Sequence, residues 1–120
     1  MDLILKGKPS EQWSVWIDAL VGAGFELEKR DFTDLDSQSF AELAGTAILL
    51  DGMLPKLSAL ISCVRLCHPE MRIIVVIEVD SFAVYYEMTR QDCVAYVAGP
   101  LSGDEFVENI RSVTEQLVEA

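Results

Sequence analysis

A single aspartate, Asp51, occupies the position in this chain that is best suited to chemistry. It directly follows the apolar run 47–50 and precedes a turn, 52–55, that is closed by proline. A short apolar run ended in this way predicts a buried strand with the carboxylate at its carboxyl end. In an open α/β sheet, ligands bind outside the carboxyl ends of the strands. We therefore expect Asp51 to lie at the centre of any functional site.

The other residues that commonly carry chemistry are few. His68 is the single histidine and stands before Pro69, which predicts a loop position at the end of a helix. A Ser-His-Asp arrangement that used Asp51 as its orienting acid therefore has little support. The cysteines are odd in number and lack CxxC spacing, which indicates neither a disulfide framework nor a zinc site. We expect them to be small apolar core residues: Cys63, Cys67 and Cys93.

Composition limits the class of protein. The 120 residues are 51% hydrophobic, which suits one domain with a core on both sides of a sheet. The formal charge of -11 repels phosphate backbones and anionic lipids, so direct binding to nucleic acid or to a membrane is not expected. No apolar run approaches the roughly 20 residues of a membrane span, and the first residues do not read as a secretory signal. These features predict a cytoplasmic protein.

Hydrophobic periodicity predicts five strands that alternate with five helices. The strands are predicted at 3–5, 25–32, 47–51, 73–77 and 94–97, and the helices at 10–22, about 40–44, 57–67, 81–91 and from 103 onward. Right-handed crossovers between such strands give a five-stranded parallel sheet with helices on both faces, a doubly wound α/β fold of the flavodoxin-like (βα)5 kind. The whole chain, 1–120, is expected to form this one domain.

Two helices have ends that the sequence marks clearly. Ser10 is a suitable N-cap for the first helix, which the glycines at 22 and 24 should end, and Ser102 or Gly103 should cap the last. The apolar residues of the first helix recur at helical spacing and should face the sheet: Trp13, Trp16, Ile17, Leu20 and Val21. The helix at 81–91 has more apolar residues than one buried stripe requires, so part of it should be exposed.

Four local patterns give the chain a family resemblance over nearly its whole length. The turn that begins at Asp51 resembles a phosphoacceptor turn, and the segment 68–70 resembles the usual approach to a fourth strand. The pair Gly24 and Phe25 resembles the start of a second strand, and Tyr96 stands where an aromatic residue is common on a fifth strand. In order and spacing the chain resembles the receiver domain of bacterial two-component response regulators.

The resemblance also shows which parts of a working receiver site are replaced. The family has an acidic pair after the first strand that holds Mg²⁺ together with the acceptor, and these positions align with Lys6 and Gly7. The family's Thr or Ser after the fourth strand aligns with Ile77, and its Lys before a proline aligns with Gly99. Only Asp51 matches the set. The resemblance therefore implies a degenerate, or pseudo-receiver, domain that is not an enzyme, has no intact Mg²⁺ site and is not efficiently phosphorylated.

Several alternatives remain at this site. Lys6 is a possible partner of Asp51 that substitutes for the missing cations, although it is more simply interpreted as pointing into solvent. Glu78 is a possible replacement carboxylate, although a solvated loop acid is the simpler interpretation. Asp51 is alternatively a weak, atypical phosphoacceptor. An aspartate-nucleophile phosphatase of the haloacid dehalogenase kind has little support, because that chemistry needs a second aspartate where Met53 stands.

The expected role is contact with a protein partner in a signalling pathway, or with a second copy as a homodimer. Receivers commonly associate through their fourth helix, fifth strand and fifth helix. The candidate interface residues in the corresponding part of this chain are Tyr85, Tyr86, Met88 and Tyr96.

Overall fold

The computed structural model describes residues 2–4, 10–30, 47–54, 56–79, 81–90 and 95–118. The strands are β1 (Asp2–Ile4), β2 (Glu28–Arg30), β3 (Ala47–Asp51), β4 (Arg72–Ile77) and β5 (Ala95–Ala98). The described helices are α1 (Glu11–Gly22), α2 (Leu57–Cys67), α3 (Phe82–Arg90) and α4 (Gly103–Val118). The helix predicted at about 40–44 lies outside the described residues, so α3 and α4 correspond to the fourth and fifth predicted helices.

All five strands are parallel and form one sheet in the order β2-β1-β3-β4-β5. This is the doubly wound order of flavodoxin-like folds, and it confirms the predicted fold class. The strand β3 occupies the centre, where Asp51 is paired in register with Val76 of β4. Because the strands are parallel, the loops that follow β3, β4 and β5 meet at one edge of the sheet.

Two apolar clusters cover the two faces of the sheet. On one face, α1 and α4 pack against the sheet, and the fully buried Trp16 and Phe106 stack with ring centroids 4.7 Å apart. On the other face, α2 contributes Leu60, Ile61 and Val64, which pack against β3 and β4. The first four residues of β3 and the last five of β4 are buried, as expected for strands covered by helices on both sides.

The helix ends follow the capping signals in the sequence. The Ser10 hydroxyl accepts a hydrogen bond from the Trp13 backbone N–H, so Ser10 is the N-cap of α1 as predicted. At α4, the Ser102 hydroxyl accepts from the Glu105 N–H while the Glu105 carboxylate accepts from the Ser102 N–H. This reciprocal pair is a capping box, and it decides between the two predicted caps of α4 in favour of Ser102.

Three expectations about these elements need correction. Strand β2 begins at Glu28, later than predicted, because Phe25 and Leu27 are used before the strand to pack against the α1 and α4 cluster. Val21 was expected to face the sheet but is 56% exposed, since it lies in the last turn of α1, beside the helix end. The described cysteines of α2 are only half-buried at the margin of their cluster, and Cys93 lies outside the described residues. None of the helices in the described part of the chain is both long enough and apolar enough to span a membrane.

Candidate functional site at the carboxyl edge of the sheet

Asp51 ends β3 and is held by the turn that follows it. One carboxylate oxygen, Oδ1, accepts a hydrogen bond of 2.9 Å from the Met53 N–H, and the Asp51 carbonyl accepts from the Leu54 N–H at 3.1 Å. The intervening Gly52 donates its N–H to the Val76 carbonyl at 2.7 Å, which ties the turn to β4. The side chain of Asp51 is half-buried. The predicted carboxylate at the end of the central strand is therefore present, and one of its oxygens is already used within the turn.

Gly52 is required by close packing around this turn. A Cβ atom there would lie 3.2 Å from the Ile77 Cβ and 3.3 Å from methyl groups of both Val75 and Val84. Such contacts are tighter than core packing normally allows. The turn at Asp51 is consequently packed against the end of β4 and the start of α3.

Glu78 directly follows β4 and lies beside Asp51. The Ser10 hydroxyl donates a hydrogen bond to the Glu78 carboxylate, which links the N-cap of α1 to the loop after β4. Glu78 is half-buried and is fixed by this contact, so its interpretation as either a replacement carboxylate or a loop acid stays open. Partial burial raises the pKa of Asp51, the nearby Glu78 carboxylate raises it further, and the Met53 N–H lowers it. Asp51 thus stands in a negative environment.

Ile77 and Gly99 stand at the positions that align with the family's hydroxyl residue and its lysine. Neither residue has a polar side chain. Ile77 is 2% exposed, and its carbonyl accepts a hydrogen bond from the Gly99 N–H at 2.8 Å. Gly99 precedes Pro100 through a cis peptide bond. A Cβ atom at Gly99 would overlap the Glu78 carbonyl oxygen and would lie 3.2 Å from the Trp16 ring. Any side chain at this position would require the surrounding backbone to move.

The loop that follows β5 is also fixed to α1. The Leu101 carbonyl accepts a hydrogen bond of 3.0 Å from the Trp16 indole N–H and one of 3.2 Å from the Gln12 side-chain amide. Together with the contact between Ser10 and Glu78, these bonds tie the amino-terminal half of α1 to the loops after both β4 and β5. The edge of the sheet around Asp51 is therefore cross-linked by side chains from distant parts of the sequence.

No protein-family profile and no curated protein sequence gives a significant match to this chain. Solved structures do. A CheY-like response regulator receiver domain protein from Methanospirillum hungatei JF-1 is 18% identical with a TM-score of 0.71, over 99% of this chain and 98% of that chain. An orphan response regulator of H. pylori is 15% identical with a TM-score of 0.72, over 94% and 95% of the two chains. The chain has the receiver fold.

A structure described as the pilus assembly protein CpaE2 from Sinorhizobium meliloti 1021 has the same fold. That structure is 12% identical with a TM-score of 0.66, over 94% of this chain and 99% of that chain. At these identities the likeness concerns the fold. The role of each site residue must therefore be argued from the geometry of this chain.

The family resemblance implies that this chain lacks the oxygen ligands that a receiver uses for Mg²⁺. Positions 6 and 7, which align with the acidic pair, are Lys6 and Gly7, and neither residue type has a carboxylate. Asp51 and Glu78 are two carboxylates near each other, but within the described ranges no three His, Cys, Asp or Glu side chains are grouped so as to hold a metal ion. Lys6 and Gly7 lie outside the described residues, so the pairing of Lys6 with Asp51 stays a prediction.

An aromatic surface lies beside this edge of the receiver fold, on α3 and β5. Tyr85 and Tyr86 are 48% and 54% exposed, and Phe82, which the sequence did not single out as an interface residue, is 80% exposed. Tyr96 is half-buried, and its hydroxyl both accepts from the Ser81 N–H at 3.0 Å and donates to the Ser81 carbonyl at 3.3 Å. Surface exposure of part of this helix was predicted and is confirmed. The backbone of Met88 belongs to α3, and its side chain lies outside what the structure describes.

His68 lies away from the carboxyl edge. It follows the last residue of α2 and donates its backbone N–H to the Val64 carbonyl at 2.8 Å. Because α2 runs from the loop after β3 back to the loop before β4, His68 is at the opposite edge of the sheet from Asp51. The prediction of a helix-terminal loop position is confirmed.

Proposed function

We propose that this chain is a degenerate receiver domain, which acts in signalling by binding a partner protein and does not depend on Mg²⁺-supported phosphorylation of Asp51. The proposal includes no enzymatic activity, no cofactor and no direct contact with nucleic acid or membrane. The proposal places the protein in the cytoplasm. The formal charge of -11, which repels phosphate backbones and anionic lipid surfaces, supports the expected lack of contact with nucleic acid or membrane.

The observation that carries the proposal is the closed packing at Gly99. A receiver uses a lysine at this position to pair with the phosphorylated acceptor, as the family resemblance implies. Here the Glu78 carbonyl and the Trp16 ring already occupy the space that the first carbon of a side chain needs. A lysine side chain therefore does not fit at this position unless the surrounding backbone moves.

The electrostatics around Asp51 support the same conclusion. Attack on a phosphodonor requires an ionised carboxylate, and cations normally neutralise the charge that develops during transfer. In the described part of this chain, burial raises the pKa of Asp51 and the nearby Glu78 carboxylate raises it further. The hydroxyl that would hydrogen-bond a phosphoryl oxygen is replaced by the buried Ile77.

Weak phosphorylation of Asp51 is the second candidate function. It is favoured by one observation, that Asp51 is only half-buried at the end of β3 and so remains accessible to a small phosphodonor.

Treatment with acetyl phosphate and Mg²⁺, followed by intact-mass measurement, tests both functions. We expect no stoichiometric gain of one phosphoryl group. The matched control is Asp51→Asn, which keeps an oxygen that can accept from the Met53 N–H but has no nucleophilic carboxylate. A stoichiometric mass gain that is present in the wild type and absent from Asp51→Asn contradicts the proposed function and establishes the second candidate.

A further inference from the structure

The aromatic surface of α3 and β5 is organised as two ring pairs. Phe82 and Tyr86 stack with centroids 6.3 Å apart and an interplanar angle of 24°. Tyr85 and Tyr96 meet edge to face, with centroids 5.4 Å apart and an angle of 70°. At 80% exposure, Phe82 is the most exposed aromatic side chain among the described residues of this helix. An exposed cluster of this kind is typical of an interaction site.

The cavity between these rings is formed before any partner binds. It measures about 430 Å³ and is lined by Phe82, Tyr85, Tyr96 and Ala98. Its inner wall is fixed, since the Tyr96 hydroxyl makes two hydrogen bonds with the Ser81 backbone. The first turn of α3 is fixed as well, because the Ser81 carbonyl accepts from the Tyr85 N–H at 3.0 Å. A preformed cavity reduces the ordering cost that binding must overcome.

Charge distinguishes between the partners that such a surface could take. Each copy of this chain carries a formal charge of -11, so two copies repel each other as they approach. A cationic partner is attracted instead. The faces of aromatic rings carry negative electrostatic potential and bind guanidinium or ammonium groups within about 6 Å of the ring centre. The protein charge and the ring faces therefore favour the same kind of ligand.

We propose that the partner presents a cationic segment, in which an apolar side chain enters the cavity beside Tyr85 and Tyr96 while an adjacent arginine lies over the exposed ring of Phe82. This inference rests on the proposed function and specifies the chemistry of its partner. A segment of this composition contacts both the apolar lining of the cavity and the ring faces. A purely apolar or a purely acidic segment makes favourable contact with at most one of them.

The test uses a capped synthetic peptide of alternating leucine and arginine and a twin in which neutral citrulline replaces arginine. Binding to the isotope-labelled chain is followed by NMR titration. We expect the arginine peptide to shift resonances of α3 and β5 and the citrulline peptide to bind more weakly. Phe82→Leu keeps an apolar side chain but removes the ring face. It should lower the affinity for the arginine peptide by about two- to five-fold. Leu66→Ala is the matched control, because Leu66 is 83% exposed on α2 and belongs to another surface.

Three results would overturn the inference. The first is equal affinity for the two peptides, and the second is an unchanged affinity in Phe82→Leu. The third is self-association of the peptide-free chain in sedimentation that Phe82→Leu abolishes, which would make a second copy the occupant. None of these results involves phosphorylation, so the mass measurement of Asp51 continues to decide the proposed function independently.

Discussion

Substitution of Gly99 by alanine should destabilise this domain sharply, because the position has no room for a Cβ atom. The added atom would overlap the Glu78 carbonyl oxygen and would lie 3.2 Å from the Glu78 carbonyl carbon and from the Trp16 ring. Two of these three neighbours are backbone atoms, which cannot rotate away as a flexible side chain can. The indole is also restrained, since its N–H is bonded to the Leu101 carbonyl.

The expected cost can be set against a matched substitution elsewhere. Overpacking of a well-packed site costs about 1–3 kcal/mol, and the backbone contacts place Gly99→Ala at about 2–3 kcal/mol. Gly22→Ala is the control, because a Cβ atom at Gly22 would meet nothing within 4 Å and the residue ends a helix. Alanine is favoured over glycine in a helix by up to about 1 kcal/mol. The same chemical change should therefore have opposite signs at the two positions.

Urea denaturation followed by circular dichroism measures both effects. For a small domain the free energy of unfolding falls by about 1–3 kcal/mol per molar urea, so the Gly99→Ala midpoint should be lower than the wild type by about 0.7–3 M. The Gly22→Ala midpoint should be equal to the wild type or higher. If the two variants have the same midpoint, the closed packing at Gly99 is refuted, and with it the main support for a degenerate site. Gly99→Lys adds its side chain through the same Cβ atom and should suffer at least the same loss.

Two further predictions concern the half-buried Asp51 and the buried indoles of Trp13 and Trp16. Because burial and Glu78 raise the pKa of Asp51 above its ordinary value of 3.8, the folded state binds that proton more tightly than the unfolded state. Stability should consequently fall as pH rises from 3.8 through the raised pKa. Asp51→Asn should lose less stability over that interval, and parallel urea midpoints of the two proteins there would contradict the sign. The buried Trp16 indole N–H donates to Leu101, whereas the buried Trp13 indole N–H has no hydrogen-bond partner among the residues that the structure describes. The Leu101 carbonyl keeps its bond from Gln12 when Trp16 is replaced, so Trp16→Phe should destabilise the domain by about 0.5–1.5 kcal/mol more than Trp13→Phe, and equal midpoints would show that the Trp16 bond to Leu101 has no net effect.

The parts of the fold that were predicted correctly depend on local sequence. Ser10 caps α1 because its hydroxyl bonds a backbone group only three residues away, and the run at 73–77 is apolar because helices cover both faces of β4. The exposure of α3 was also predictable, since a helix on a sheet can bury only one side. Asp51 was placed correctly for a similar reason, as the end of an apolar run is visible in the sequence.

The relations around Asp51 depend on pairing that the sequence does not show directly. Glu78 approaches Asp51 because β3 and β4 are neighbours in register, and its contact with Ser10 spans 68 positions. One signal for Glu78 was present, because it directly follows the predicted strand at 73–77 and so stands at the carboxyl end of that strand. The lack of room for a side chain at Gly99 had no such signal in the sequence, because a glycine before a proline is compatible with many loops.

The stacking of Trp16 on Phe106 has a consequence for synthesis on the ribosome. The hydrogen bond between Trp16 and Leu101 joins residues 85 positions apart, and Phe106 lies further along the chain. At about 5–20 residues per second, Trp16 of α1 is synthesised roughly 4–17 s before Leu101 and the helix that follows it. During that interval the apolar face of α1 is open to chaperones or to other nascent chains. Premature termination before α4 should therefore leave an aggregating product, in which the apolar face of α1 is not covered by α4.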